Sequence, residues 1–87
     1  ASYGISDASP NPFNPVTTFS YNLPVDGLVQ VSIYDVQGRK INELVNSWQS
    51  AGSYPVAWNA TDFSSGVYIV KMESNGFLAS QKIVLIK

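Results

Sequence analysis

The sequence predicts an all-β fold, an antiparallel sandwich of short strands, and three observations carry that expectation. Apolar residues recur at every second position in one segment after another, which is the spacing of a strand with one buried face. Clusters of Gly, Pro, Asn and Asp interrupt those segments every ~8 to 12 residues. No 11-residue window carries an apolar stripe at helical spacing. The chain has 87 residues, 45% of them hydrophobic and 13% charged, so there is material for one core and none for a second. A domain this small buries a little over ~60% of the surface its unfolded chain exposes, which places its stability at about 4 to 13 kcal/mol.

Residues 1–9 are small and polar apart from Tyr3 and Ile5, and read as a linker or a short first edge strand near residues 5–8. A single sandwich domain is expected over residues 10–87. It opens with Pro10-Asn11-Pro12-Phe13-Asn14-Pro15, where three prolines fix φ and remove three backbone donors. That stretch is neither helix nor central strand but an extended, hydrogen-bond-poor lead-in, with Phe13 as the peg that holds it to the core. Phe19, Tyr21 and Leu23 then share one strand face, with Thr18, Ser20 and Asn22 on the other. Pro24-Val25-Asp26-Gly27 is turn chemistry, followed by Val29, Val31 and Ile33 alternating with Gln30 and Ser32.

Asp35-Val36-Gln37-Gly38 suits a type I turn whose Asp side chain accepts from backbone amides and whose Gly takes a positive φ. Residues 40–45 pair back as a hairpin, and a polar loop is expected around Trp48. Tyr54, Val56 and Trp58 alternate in the next strand, and Pro55 among them assigns it to a sheet edge. Ser64-Ser65-Gly66 turns into the apolar run 67–72, and Asn75-Gly76 is a strong hairpin signal ahead of residues 77–86. Six strands are well marked and a seventh lies near the start.

The composition excludes several chemistries. There is no Cys and no His, hence no disulfide framework, no Cys–His or Ser–His nucleophile pair and no ordinary zinc or copper site. Asp7, Asp26, Asp35, Glu43, Asp62 and Glu73 are scattered and mostly beside turns, so paired-carboxylate catalysis has no basis. No catalytic residue, metal or cofactor is expected. Five basic residues against six acidic ones supply no footprint for nucleic acid or anionic lipid, and no apolar run approaches the ~20 residues of a membrane span. The low charge fits work outside the cytoplasm. Because it opens at Ala1 rather than Met, the chain is expected to be a piece of a longer one.

Trp48, between Ser47 and Gln49, is the candidate for an exposed ring, with a lid over one end of the core as its other reading. An exposed ring would suit a carbohydrate-binding accessory module, the alternative to a recognition module, and a purely structural spacer is a third reading. Tyr54 and Trp58 share their face with Val56 and read as core.

Several motifs, taken in order, resemble one family. Pro10-Asn11-Pro12-Phe13-Asn14-Pro15, then Ile33-Tyr34-Asp35-Val36-Gln37-Gly38-Arg39, then Ala51-Gly52 with Val56-Ala57-Trp58, then Ser65-Gly66-Val67-Tyr68, and last Lys82-Ile83-Val84-Leu85-Ile86-Lys87 look like the blocks of the C-terminal sorting domain of type IX secretion cargo in Bacteroidetes-type bacteria. The immunoglobulin-like domain of the flagellar hook-capping protein is a neighbouring family. Ser53 stands where the sorting family often has His.

The resemblance implies a seven-stranded antiparallel immunoglobulin-like β-sandwich without enzymatic activity. It implies an N-terminal cargo domain in the same parent chain. Its partners would be an outer-membrane translocon, a shuttle protein and a sortase-like peptidase, and its path would run through the periplasm to the cell surface or the medium. Lys82, Ile83, Val84, Leu85, Ile86 and Lys87 would be the recognised strand. Pro10, Asn11, Pro12, Phe13, Asn14, Asp35, Gly38, Arg39, Gly66, Val67 and Tyr68 would be motif residues of structural weight.

Overall fold

The computed structural model describes residues 2–87, and their strands form two antiparallel sheets with no helix. The strands are β1 (Gly4–Ile5), β2 (Val16–Leu23), β3 (Gly27–Asp35), β4 (Lys40–Gln49), β5 (Gly52–Asn59), β6 (Gly66–Ser74) and β7 (Phe77–Leu85). One sheet runs β1-β2-β5 and the other β4-β3-β6-β7. Pro55 therefore does lie on an edge strand, where its missing N–H costs no ladder bond.

The period-two faces close on each other. Thr17, Phe19, Tyr21 and Leu23 of β2 and Trp58 of β5 face Val29, Val31 and Ile33 of β3, Tyr68, Val70 and Met72 of β6, and Ile83 and Leu85 of β7 in one buried cluster. Phe13 joins it at 3% exposure, as a peg should. The β6–β7 hairpin turns on Asn75 (φ 50°) and Gly76 (φ 82°), two consecutive positive-φ residues between the paired Ser74 and Phe77. That is the type I′ geometry that Asn-Gly favours.

Three expectations need correction. Trp48 is not in a loop: β4 continues to Gln49, with Trp48 opposite Leu28 and Ser47 opposite Val29. Ser, Gln and Asn read as loop formers by composition, but the neighbouring β3 offers backbone partners that override so weak a propensity. Its ring is 69% exposed and covers no end of the core. The first strand is Gly4–Ile5 rather than residues 5–8, because Gly4 and Ile5 pair with Asn22 and Tyr21 while the chain rejoins β2 only at the Ser9–Thr18 bridge. The proline-rich lead-in is also richer in hydrogen bonds than its prolines suggest, since Asn11 and Phe13 bond into β7.

The β3–β4 turn follows its sequence. The Gly38 N–H donates to the Asp35 carbonyl at 3.0 Å, and Asp35 Oδ1 accepts from the Gln37 and Arg39 amides at 2.9 and 3.0 Å. Gly38 has φ +86° and a Cβ there would meet nothing within 4 Å, so a side chain is opposed by backbone strain alone. Gly38→Val is expected to cost on the order of 1 to 3 kcal/mol, read as a lowered urea midpoint at unchanged slope.

The Arg39 amide holds the Asp35 carboxyl below the ordinary carboxylate range; desolvation opposes it, and the Arg39 guanidinium at 2.9 Å and the Gln37 amide add to the lowering. A group with a depressed folded pKa contributes stability above its unfolded pKa, and that contribution is lost as pH falls through the folded value. Between about pH 5 and about pH 2 the urea midpoint of Asp35→Asn is therefore expected to fall less than that of the wild type. Parallel pH profiles would contradict the assignment.

Candidate recognition surface

The motif residues that are far apart in sequence gather at one end of the sandwich. Register places Asp35 opposite Tyr68 and Tyr68 opposite Ile83, while Gly66 and Val67 lie opposite Leu85 and Val84. Residues 10–15 run along the free side of β7 at the same end. The Phe13 N–H donates to the Val84 carbonyl and the Ile86 N–H to the Phe13 carbonyl, both at 2.9 Å. Asn11 Nδ2 donates to the Lys82 carbonyl at 3.1 Å and Asn11 Oδ1 accepts the Val84 N–H at 3.0 Å. The opening motif thus acts as a further strand on the outer edge of β7, where Phe13 forms a parallel bridge with Leu85. Prolines at 10, 12 and 15 keep this segment extended and leave its own outer side poor in donors.

Aromatic rings hold this end together. Trp58, 1% exposed, has Phe13, Phe63 and Tyr68 around it at centroid distances of 5.7, 5.5 and 5.4 Å. Pro10 contributes its carbonyl, which accepts from Thr17 Oγ1 at 2.8 Å, and Pro12 and Asn14 are exposed. Arg39 pairs with Asp35 at a largely exposed position. Tyr68 donates its hydroxyl to the Ser64 carbonyl at 2.5 Å.

Of the six terminal residues, Ile83 and Leu85 are in the core at 0% and 1% exposure. What a partner would meet is Lys82, the half-buried Val84, Ile86 and Lys87. Lys87 is anchored, with its amide donating to Ser65 Oγ at 3.0 Å and its Nζ to the Thr61 carbonyl at 2.5 Å. Val67, opposite Val84, continues the apolar strip on the same face. Trp48 stands apart, since Leu28, its partner, lies at the opposite end of β3 from Asp35.

The model of the secretion system C-terminal sorting domain matches residues 8–87, nearly the whole chain. The chain belongs to that family. Its members are type IX sorting signals and in general non-catalytic. No curated protein matches the chain. Among solved structures, the Pseudomonas fluorescens alkylpurine DNA glycosylase AlkC bound to DNA containing an abasic site analog is similar over 100% of this chain and 31% of that one, with a TM-score of 0.56 and 17% identity. The chain spans about a third of that protein, and at such identity the likeness is one of fold alone.

The geometry of the sorting domain also shows residues that its sequence did not single out. Gln81 accepts the Ala8 N–H on Oε1 at 2.9 Å and donates from Nε2 to the Ser6 carbonyl at 2.8 Å, which fastens the first residues to β7. Thr61 holds Lys87 through its backbone carbonyl, and Ser65, marked in the sequence only as part of a turn and a motif, holds it through Oγ. A polar residue at an alternating strand position carries no mark of such a role. No group of three or more His, Cys, Asp or Glu side chains is placed to hold a metal ion among the described residues.

Proposed function

We propose that this sorting domain is the C-terminal signal that directs a cargo protein through the type IX secretion system across the outer membrane, for release or attachment at the cell surface. The cargo precedes it in the same parent chain, and the translocon, a shuttle protein and a sortase-like peptidase are its partners. The observation that carries the reading is the family match over residues 8–87. The convergence of residues 10–15, Asp35, Gly66 to Tyr68 and residues 82–87 on one end of the sandwich supports it, with Ala51-Gly52 alone at the other end. An immunoglobulin-like architecture is supported by the division into three and four strands and by Tyr68, whose hydroxyl reaches back to the backbone four residues upstream at the start of β6.

The terminal strand is the address, read through its exposed groups. Its outer edge is occupied by Asn11 and Phe13, so strand addition at residues 82–86 would first have to displace a buried aromatic. A partner that leaves the fold intact reads the Lys82, Val84 and Ile86 side chains and the Lys87 end. Lys82→Ala with Lys87→Ala removes only exposed charges and one surface hydrogen bond, so the urea midpoint is expected to hold. Surface appearance of a fused reporter in a host with type IX secretion is expected to drop about tenfold or more, equivalent to ~1.4 kcal/mol of lost recognition. Export of the double variant at the normal rate would remove the terminal strand as the address.

A further inference from the structure

Trp48 has no part in the terminal-strand signal and its ring covers no core, so its surroundings decide what it does. Register places it on the outer face of the four-stranded sheet, opposite Leu28, and on that face the side chains of β3 and β6 form a trough. A depression of about 300 Å³ lies between Leu28, Gln30, Glu73 and the Ser74–Gly76 turn. It continues over Gln30 and Glu73 into one of about 60 Å³ above Ser32, Tyr34 and Lys71. From Leu28 to Tyr34 the trough follows β3 for ~20 Å.

The floor is polar and unpaired. Ser32 lies between the core residues Val31 and Ile33 in sequence but on the opposite face of the strand. It is 4% exposed, and its hydroxyl opens into the trough, whereas that of Ser74 is sealed. Among the described residues Gln30, Ser32 and Glu73 make no side-chain hydrogen bond, although Glu43, Asn46 and Asn75 around them do. Charges of both signs stand along the floor. Lys71 holds its ammonium 4.6 Å from the centre of the Tyr34 ring, and Glu73 is two residues along on the same face. Lys40 is paired with Glu43 at 3.3 Å, and Lys82 lies a row beyond Lys71. Asp26, past the Leu28 end, accepts the Ala51 N–H on Oδ1 at 2.7 Å.

We infer that this trough binds an extended, uncharged glycan, with one pyranose ring stacked on Trp48 and the next ones lying along β3. The ligand class follows from what the floor lacks. Gln30 and Ser32 each donate and accept, Lys71 only donates and Glu73 only accepts, so a partner has to offer both functions at closely spaced points. Sugar hydroxyls do so without charge, whereas an anion would meet Glu73 and a cation would meet Lys71. An apolar partner would leave Ser32, Gln30 and Glu73 buried and unsatisfied. An added peptide strand has nothing to bond, because β3 and β6 are paired on both sides. The apolar C–H faces of a pyranose match the Trp48 ring, 69% exposed, and Leu28 beside it. A depression of this size with a few convergent polar groups suits a small ligand, not a protein surface. The site goes beyond the sorting signal and does not depend on it, since of its residues only Tyr34 belongs to the family's blocks.

Native gels cast with hydroxyethylcellulose, glucomannan, arabinoxylan or laminarin test the site, with polygalacturonate as the charged comparison. The domain is expected to be retarded in at least one neutral gel. Retardation in none, or in polygalacturonate alone, overturns the inference. Trp48→Ala is expected to weaken binding about tenfold or more, and Gln30→Ala with Glu73→Ala by a similar factor, at unchanged urea midpoints. Wild-type binding by either variant overturns it. A second readout needs no substitution. The chain has two tryptophans and Trp58 is 1% exposed, so iodide quenches Trp48. Bound glycan is expected to shield that emission, and retardation without shielding places the glycan elsewhere and overturns the site. Shielding that grows with protein concentration and needs no glycan assigns Trp48 to a second copy, which overturns it too.

Discussion

Removing residues 84–87 is expected to unfold the domain, not simply to erase an address. Leu85 is 1% exposed, and deleting a buried leucine costs about 2 to 5 kcal/mol. The same cut removes the Val84 carbonyl and the Ile86 amide that hold the Phe13 backbone, and the Val84 amide that holds Asn11. Phe13 then has no bonded frame to keep its ring in the core. Against a total of about 4 to 13 kcal/mol for a chain of this length, these losses leave no stable fold. The truncated domain should show no cooperative urea transition, and its failure to be exported would say nothing about recognition. A cooperative melt within about 1 kcal/mol of the intact domain would show that the Phe13 bridge contributes little.

Trp58→Ala is expected to cost about 3 to 5 kcal/mol, because it empties the space between Phe13, Phe63 and Tyr68 and loosens the opening motif together with the β6 corner. Trp58→Phe separates packing from polarity. The indole Nε1 is buried without a hydrogen-bond partner, a group that lowers stability by about 1 to 3 kcal/mol wherever it stays unsatisfied. Phenylalanine gives up volume but also removes that donor, so its cost is expected to be well under half that of alanine. Equal melting of the two variants would mean that the indole nitrogen finds a partner, most simply an ordered water.

Much of the fold was legible because its rules are local. Alternation at Phe19, Tyr21 and Leu23 and at Val29, Val31 and Ile33 set which faces are buried, since a strand cannot change that parity without a bulge. The Asp35 and Asn75 turns followed from side chains and φ values that involve no distant residue. Trp48 was misplaced for the complementary reason. Nothing within Asn46-Ser47-Trp48-Gln49 marks a strand, and only the register with Gly27, Leu28, Val29 and Gln30 makes it one.

Fold class, the buried faces, the position of Pro55 at an edge and the absence of a Cys- or His-based chemistry were determined by the sequence alone, because each depends on residue type and short-range spacing. The blocks of the family were also visible there, but as separate strings. Only the tertiary structure joined residue 13 to residue 84, assigned Ile83 and Leu85 to the core while leaving Lys82 and Ile86 outside, and left the second half of β4 as an open edge. Those outcomes depend on which strands become neighbours. Backbone hydrogen-bonding groups are identical in every residue but proline, so one-dimensional pattern sets a strand's faces and the assembled sheets alone decide its edges.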